Sequence, residues 1–118
     1  MARSEIVVTD IVRAGATPIT QTTADASNKH YFVNDGSSYL EIVSTDGSQQ
    51  TVVIEVNPSF TADSLVVSNL TITVPAGATR LAGPFKVQTF RQDTAGTTYV
   101  NPSVSTTLKF RAWRLLQA

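Results

Sequence analysis

Nucleophilic hydrolysis of the Ser/His/Asp kind needs an imidazole base, and the chain's one histidine, His30, would have to supply it. Asp25 or Asp35 would then orient the ring, which only loop geometry could arrange, and no Gly-x-Ser-x-Gly elbow is present to offer a serine. His30 therefore reads as an ordinary residue at the start of a strand. Glycoside hydrolysis needs two carboxylates facing each other across a cleft. Glu41 and Glu55 qualify if their strands pair, but both also fit solvent-facing positions that alternate with core positions. Asp35 and Asp46 each precede a glycine, where a turn accounts for them, and neither sits among the alternating oxygen ligands of a calcium loop. With no cysteine, thiolate metal sites and disulfides are excluded, which suits a reducing cytoplasm. The chain reads as non-enzymatic, with no catalytic, metal-binding or cofactor-binding residue.

Positive charge gathers locally only at Lys109, Arg111 and Arg114, with Trp113 among them. Single-strand nucleic-acid binders stack bases on such strands, but they carry a basic excess. Here nine Lys and Arg cancel nine Asp and Glu to a net charge of 0, so nucleic acid is not an expected partner. The cluster is either a solvated outer face or a contact surface for an acidic protein. Tyr31, Tyr39, Tyr99 and Trp113 would form a flat sugar-binding platform if their strands place them on one face.

The elements that must position these residues are strands. Runs with period-2 alternation recur between turn signals about every 8 to 12 residues, a pattern of sandwiches and barrels. The expectation is an all-β, single-domain antiparallel β-sandwich over residues 1–118, jelly-roll or Ig-like, with seven or eight strands. Strands are expected at residues 6–12, 30–33, 39–43, 51–56, 70–74, 79–81 and 87–90 and in the closing run 104–115, with 65–67 only a short run and 99–100 a stub. Burying one face of each gathers Leu40, Ile42, Val52, Ile54, Val56, Leu70, Ile72, Val74, Leu108 and Phe110 into a core. Asp46-Gly47 is the strongest hairpin signal, and it predicts pairing of the strands around Ile42 and Ile54. Pro75, Ala76 and Gly77 end the Leu70 strand and make a sheet edge and a corner, and Gly83-Pro84 bends the strand that follows. The tail from Arg111 has some helical propensity, but the alternation that continues into it favours a strand. No apolar run approaches the roughly 20 residues of a membrane span, and residues 1–5 lead into a strand without a signal-peptide core. A soluble product made in the cytoplasm, with no membrane partner, is expected.

Asn34-Asp35-Gly36 followed by the strand at 39–43, the block VPAGATRLAGPF at 74–85, and the closing LKFRAWRL at 108–115 together resemble small virion proteins of tailed bacteriophages. The type is the capsid decoration, cement or auxiliary head protein, and the resemblance runs from about residue 6 onward. It implies a β-sandwich or β-barrel seated on the outside of the shell of major capsid protein, often as a homotrimer at local three-fold positions. There it would reinforce the shell against internal DNA pressure, with no catalytic residue. A cement protein needs extended edges, an arm that can join a neighbour, and many copies whose weak contacts sum. An N-terminal arm of Met1, Ala2, Arg3, Ser4 and Glu5 and the polar connection over residues 17–28 are the candidate arms; both read equally well as ordinary surface loops. Lys109, Arg111 and Arg114 complete the candidate interface. A tail, neck or fibre module of the virion and a carbohydrate-binding sandwich are the alternative readings.

Overall fold

The computed structural model describes residues 3–11, 15, 21–59, 61–62, 65–92 and 96–115. Its strands are β1 (Ser4–Glu5), β2 (Val8–Ile11), β3 (Thr22–Thr23), β4 (His30–Val33), β5 (Ser38–Ser44), β6 (Gln50–Ile54), β7 (Thr61–Ala62), β8 (Leu65–Val66), β9 (Leu70–Val74), β10 (Thr79–Ala82), β11 (Thr97–Pro102) and β12 (Leu108–Leu115), with one helical turn, α1 (Val87–Phe90). Two sheets form the sandwich. Sheet I has the order β1-β4-β11-β6-β9, and sheet II the order β10-β5-β12-β2, with β3 also on β12; β7 and β8 form a small ribbon.

The alternation in the sequence makes the two layers. Along β5 the even-numbered residues Leu40 and Ile42 are fully buried while Tyr39, Glu41 and Val43 are half-buried, and β12 buries Leu108, Phe110 and Ala112 in the same way. From sheet I, Phe32, Val52, Ile54, Val74 and Val100 meet them at 0% exposure. Val56 is also buried. Leu70 departs from the expected core at 40% exposure, and Ile72 is only partly buried. Both belong to β9, the last strand of sheet I, with no described strand beyond it. Ile6, Ala24 and Phe85 join the core from short segments between turns, where no run is long enough to show a period.

Among the described residues, strands adjacent in sequence do not pair with each other, apart from β7 and β8. This overturns the expected hairpin at Asp46-Gly47: β5 lies in sheet II between β10 and β12, and β6 lies in sheet I between β11 and β9. The turn signals mark corners where the chain changes sheet. At the first, the Asn34 side chain donates to the Phe85 carbonyl at 3.0 Å and to Thr98 Oγ1 at 3.2 Å and accepts from the Gly36 N–H at 2.9 Å, so a buried amide steers β4 into β5. At the third, the Ala78 N–H donates to the Pro75 carbonyl at 3.0 Å with Gly77 at φ +66°, which sends the chain from β9 to β10. The expected edge and corner at Leu70–Val74 are therefore present. Alternation between sheets through β4, β5 and β6, and again through β9, β10, β11 and β12, follows the jelly-roll pattern; an Ig-like sandwich is built from hairpins within a sheet.

Three further expectations change. The sheets are mixed rather than antiparallel, because β1 runs parallel to β4 and β2 parallel to β12. Among the described residues there are twelve strands rather than seven or eight, chiefly because the chain breaks into two-residue pieces at the edges. Residues 87–90 form α1 instead of a strand: the Phe90 and Arg91 N–H groups donate back to Lys86 and Val87, and this places the Phe90 ring edge-on to Phe85 at 5.5 Å. The closing run is a strand from Leu108 through Leu115, as its alternation predicts, but residues 104–107, expected to begin it, form the loop before it. Among the described residues no helix is long and apolar enough to cross a membrane.

Candidate interaction surface

The N-terminal segment builds the most distinctive surface feature. The strand expected over residues 6–12 begins only at Val8, with residue 12 outside the described residues, and a separate strand precedes it: β1 adds to sheet I beside β4, and β2 lies in sheet II beside β12. The crossing buries Ile6 completely and turns Val7 outward at 49% exposure. A groove of about 240 Å³ results, lined by Glu5, Val7, Val8, Asp10, Val33 and Arg114. Val33 is likewise 49% exposed. Two bare valines rimmed by both signs of charge form an apolar contact with a polar margin, the composition of a protein-binding patch.

The residues singled out from sequence are distributed around this groove rather than gathered in it. Glu5 and Arg114 line it. Ala2 lies outside the described residues, as do residues 17–20 of the polar connection. Ser4 is fastened to its own domain, its N–H donating to the Lys29 carbonyl at 3.0 Å, so residues 3–5 are an edge of the sandwich rather than a free arm. Arg3 lies on the outer face of sheet I. Its guanidinium pairs with Glu55 at 2.9 Å, donates to Asn101 Oδ1 at 2.7 Å and to the His30 carbonyl at 3.1 Å, and stands 3.9 Å from the centre of the Tyr99 ring. Asn101 in turn donates to the same Glu55 oxygen at 2.7 Å. Nothing in the sequence announces this network, because its members are scattered along the chain and only the β1, β6 and β11 topology brings them together.

The basic cluster divides by strand parity. Lys109 and Arg111 point from the outer face of sheet II, whereas Arg114, at an even position, turns to the opposite side at the rim of the sandwich. That division is legible in the numbering alone. Each charge is also answered within the domain. Arg111 pairs with Glu41 at 3.0 Å, and Lys109 donates to Thr23 Oγ1 at 3.2 Å and the Thr106 carbonyl at 3.1 Å. Arg114 bridges Asp10 at 2.6 Å and Asp35 at 2.5 Å, and these bonds raise its pKa further. Burial pushes the Asp35 carboxyl up, but Arg114 and the Ser37 amide outweigh it and hold the group below the usual carboxylate range. Pairs this exposed contribute about 0 to 1 kcal/mol each. Arg111 and Arg114 are thus paired with carboxylates of their own domain, whereas Lys109 meets only neutral oxygens and keeps its charge.

The residues weighed for catalysis do not converge. Glu41 and Glu55 belong to different sheets, each held by an arginine. His30 is buried at 1% exposure, its Nε2 accepting from the Asp25 N–H at 2.9 Å, while the Asp25 carboxylate turns away to accept from the Ser27 and Asn28 N–H groups. The aromatic residues form two pairs on opposite outer faces instead of one platform. Tyr39 stacks on Trp113 with ring centres 4.7 Å apart on sheet II, and Tyr31 lies opposite Tyr99 on sheet I. Among the described residues no group of three His, Asp or Glu is placed to hold a metal ion.

A search of family models, curated proteins and solved structures finds no match to this chain.

Proposed function

We propose that this protein is a non-enzymatic structural component of a tailed-phage head, which binds the outside of the major capsid protein shell and stabilises it. The reading rests on the resemblance of the turn and strand blocks, and the observation that best supports it is the Val7 and Val33 groove between the two sheets. A rigid sandwich presenting an apolar groove with a charged rim suits attachment to a preformed surface, where many copies sum weak contacts. Because Arg114, the one basic residue of the cluster that lines the groove, is already paired with Asp10 and Asp35, attachment through the groove depends on apolar burial more than on long-range attraction, and added salt weakens it little.

The experiment is co-sedimentation of the purified protein with heads of its phage that lack it. Val7→Asp and Val33→Asp are exposed changes that leave the fold intact, and each weakens head binding at least tenfold. Retention of full head binding by both variants removes the groove as the contact, and binding to tails or to a polysaccharide in place of heads removes the head reading in favour of a tail, neck or fibre module or a carbohydrate-binding module.

A further inference from the structure

Among the described residues five strands end the two sheets, and four of them carry features that discourage pairing with another chain, β3 by being only two residues long. β1 is two residues long and includes Glu5, β2 carries Asp10, and β10 carries Arg80 and runs directly into Gly83-Pro84. β9 has none of these. Its five residues, Leu70-Thr71-Ile72-Thr73-Val74, include no charge and no proline, and no described strand lies on its outer side. Alternate residues of such an edge direct N–H and C=O groups away from β6.

The strand is also symmetric about its centre, reading apolar, Thr, Ile, Thr, apolar. We propose that β9 pairs antiparallel, about a two-fold axis, with β9 of a second copy of this chain. Centred on Ile72, this register sets Leu70 opposite the partner subunit's Val74, Thr71 opposite the partner subunit's Thr73, and Ile72 opposite the partner subunit's Ile72. Every cross-strand pair is then like with like: apolar residues continue the core-facing row and threonines the outer row, both favourable pairings. A two-fold interface requires this self-complementarity. It also gives the 40%-exposed Leu70 an apolar neighbour. A strand from an unrelated partner could satisfy the backbone of β9, but nothing in β9 would match its side chains, so a second copy is the occupant the sequence fits. The pairing is two-fold, unlike the trimer that the phage resemblance implies, and it stands apart from the shell-binding proposal.

Sedimentation equilibrium of the full chain over a concentration series tests it. The wild type is expected to be a reversible dimer. Thr71→Lys with Thr73→Lys sets like charges opposite each other at two pairs and weakens the dimer roughly tenfold, whereas Thr71→Lys with Thr73→Glu sets opposite charges at the same pairs and retains it. Both threonines are exposed, so thermal melts of the variants should match the wild type at concentrations low enough for the wild type to be monomeric. In this cysteine-free chain, Thr71→Cys with Thr73→Cys provides a second measure that does not depend on charge: oxidation should yield a covalent dimer. A wild type that stays monomeric or sediments as a trimer overturns the proposal. So does a dimer that the two charge variants leave equally unchanged, or a cysteine variant that remains monomeric after oxidation.

Discussion

The Thr107 hydroxyl donates to the Asp46 carboxylate at 2.8 Å, which fastens the corner between β5 and β6 to the loop leading into β12. The same carboxylate accepts from the Ser48 N–H at 2.8 Å, so one side chain both shapes the corner and ties it to Thr107. Gly47 has open space around it and no left-handed φ. Gly47→Ala is therefore expected to change stability by no more than about 0.5 kcal/mol. Asp46→Ala should lower the melting temperature measurably; if Gly47→Ala is the more damaging change, the corner has been misread.

Gly83 is the glycine that the fold requires. It adopts φ +121°, and a Cβ there would lie 2.9 Å from the Ser38 carbonyl oxygen and 3.2 Å from Tyr39 Cα, both backbone atoms of β5 that cannot move aside cheaply. Gly83→Ala should cost about 1 to 3 kcal/mol in urea unfolding. A loss below about 0.5 kcal/mol would mean that β10 does not approach β5 this closely.

Ile54 and Leu70 lie opposite each other across β6 and β9, yet their burial differs. Ile54 is fully buried, so Ile54→Ala should cost about 2 to 5 kcal/mol. Leu70→Ala at the open edge should cost less than about 1 kcal/mol in the monomer. Equal losses would contradict the edge position of β9.

Acid should weaken the fold in two separate windows. Burial pushes the His30 imidazole pKa down, and Arg3 adds to this, against the opposing effects of the Ser4 backbone and Asp25. The unfolded chain then takes up this proton first, so stability is full above about pH 6.5 and declines as pH falls below that value. The backbone amides of Asn28 and Ser27 hold the Asp25 carboxyl below its usual range, and the Ser48 amide, Thr107 and Gln50 do so for Asp46. Their stabilisation is present above about pH 3.8 and is lost as pH falls through their lowered values. Melting temperatures from pH 8 to pH 3 should show both declines, and His30→Gln, which keeps an acceptor for the Asp25 N–H, should remove only the upper one. A wild-type melting temperature that is flat between pH 7 and pH 5 would contradict the buried neutral imidazole.

Alternation carried most of the legible structure. Residues 39–43 and 108–113 reveal the inward faces of β5 and β12, because a strand's period of two leaves no other way to bury Leu40, Ile42, Leu108 and Phe110 together. Turn chemistry was equally visible at Asn34, Asp46 and Pro75, but a turn residue reports that the chain bends and not which strands it joins. All three bends lead from one sheet to the other, so local hairpin reasoning misassigned the partner of β5. The candidate surface was hidden for a related reason. Val7 and Val33 come together only because the first strand breaks at Ile6 and changes sheet, and the Arg3, Glu55 and Asn101 network is a product of the same topology. Only the separation of Arg114 from Lys109 and Arg111 could have been read directly, from odd and even positions.

Shell binding is tested most directly by mixing the purified protein with assembled heads that lack it and, in parallel, with unassembled major capsid protein. A site composed of neighbouring subunits exists only after assembly and engages several weak contacts at once. The protein should therefore sediment with heads, saturate at a fixed number of copies per shell, make the heads retain DNA to higher temperature, and leave free subunits unbound. Equal binding to heads and free subunits, or binding to neither, would contradict the account.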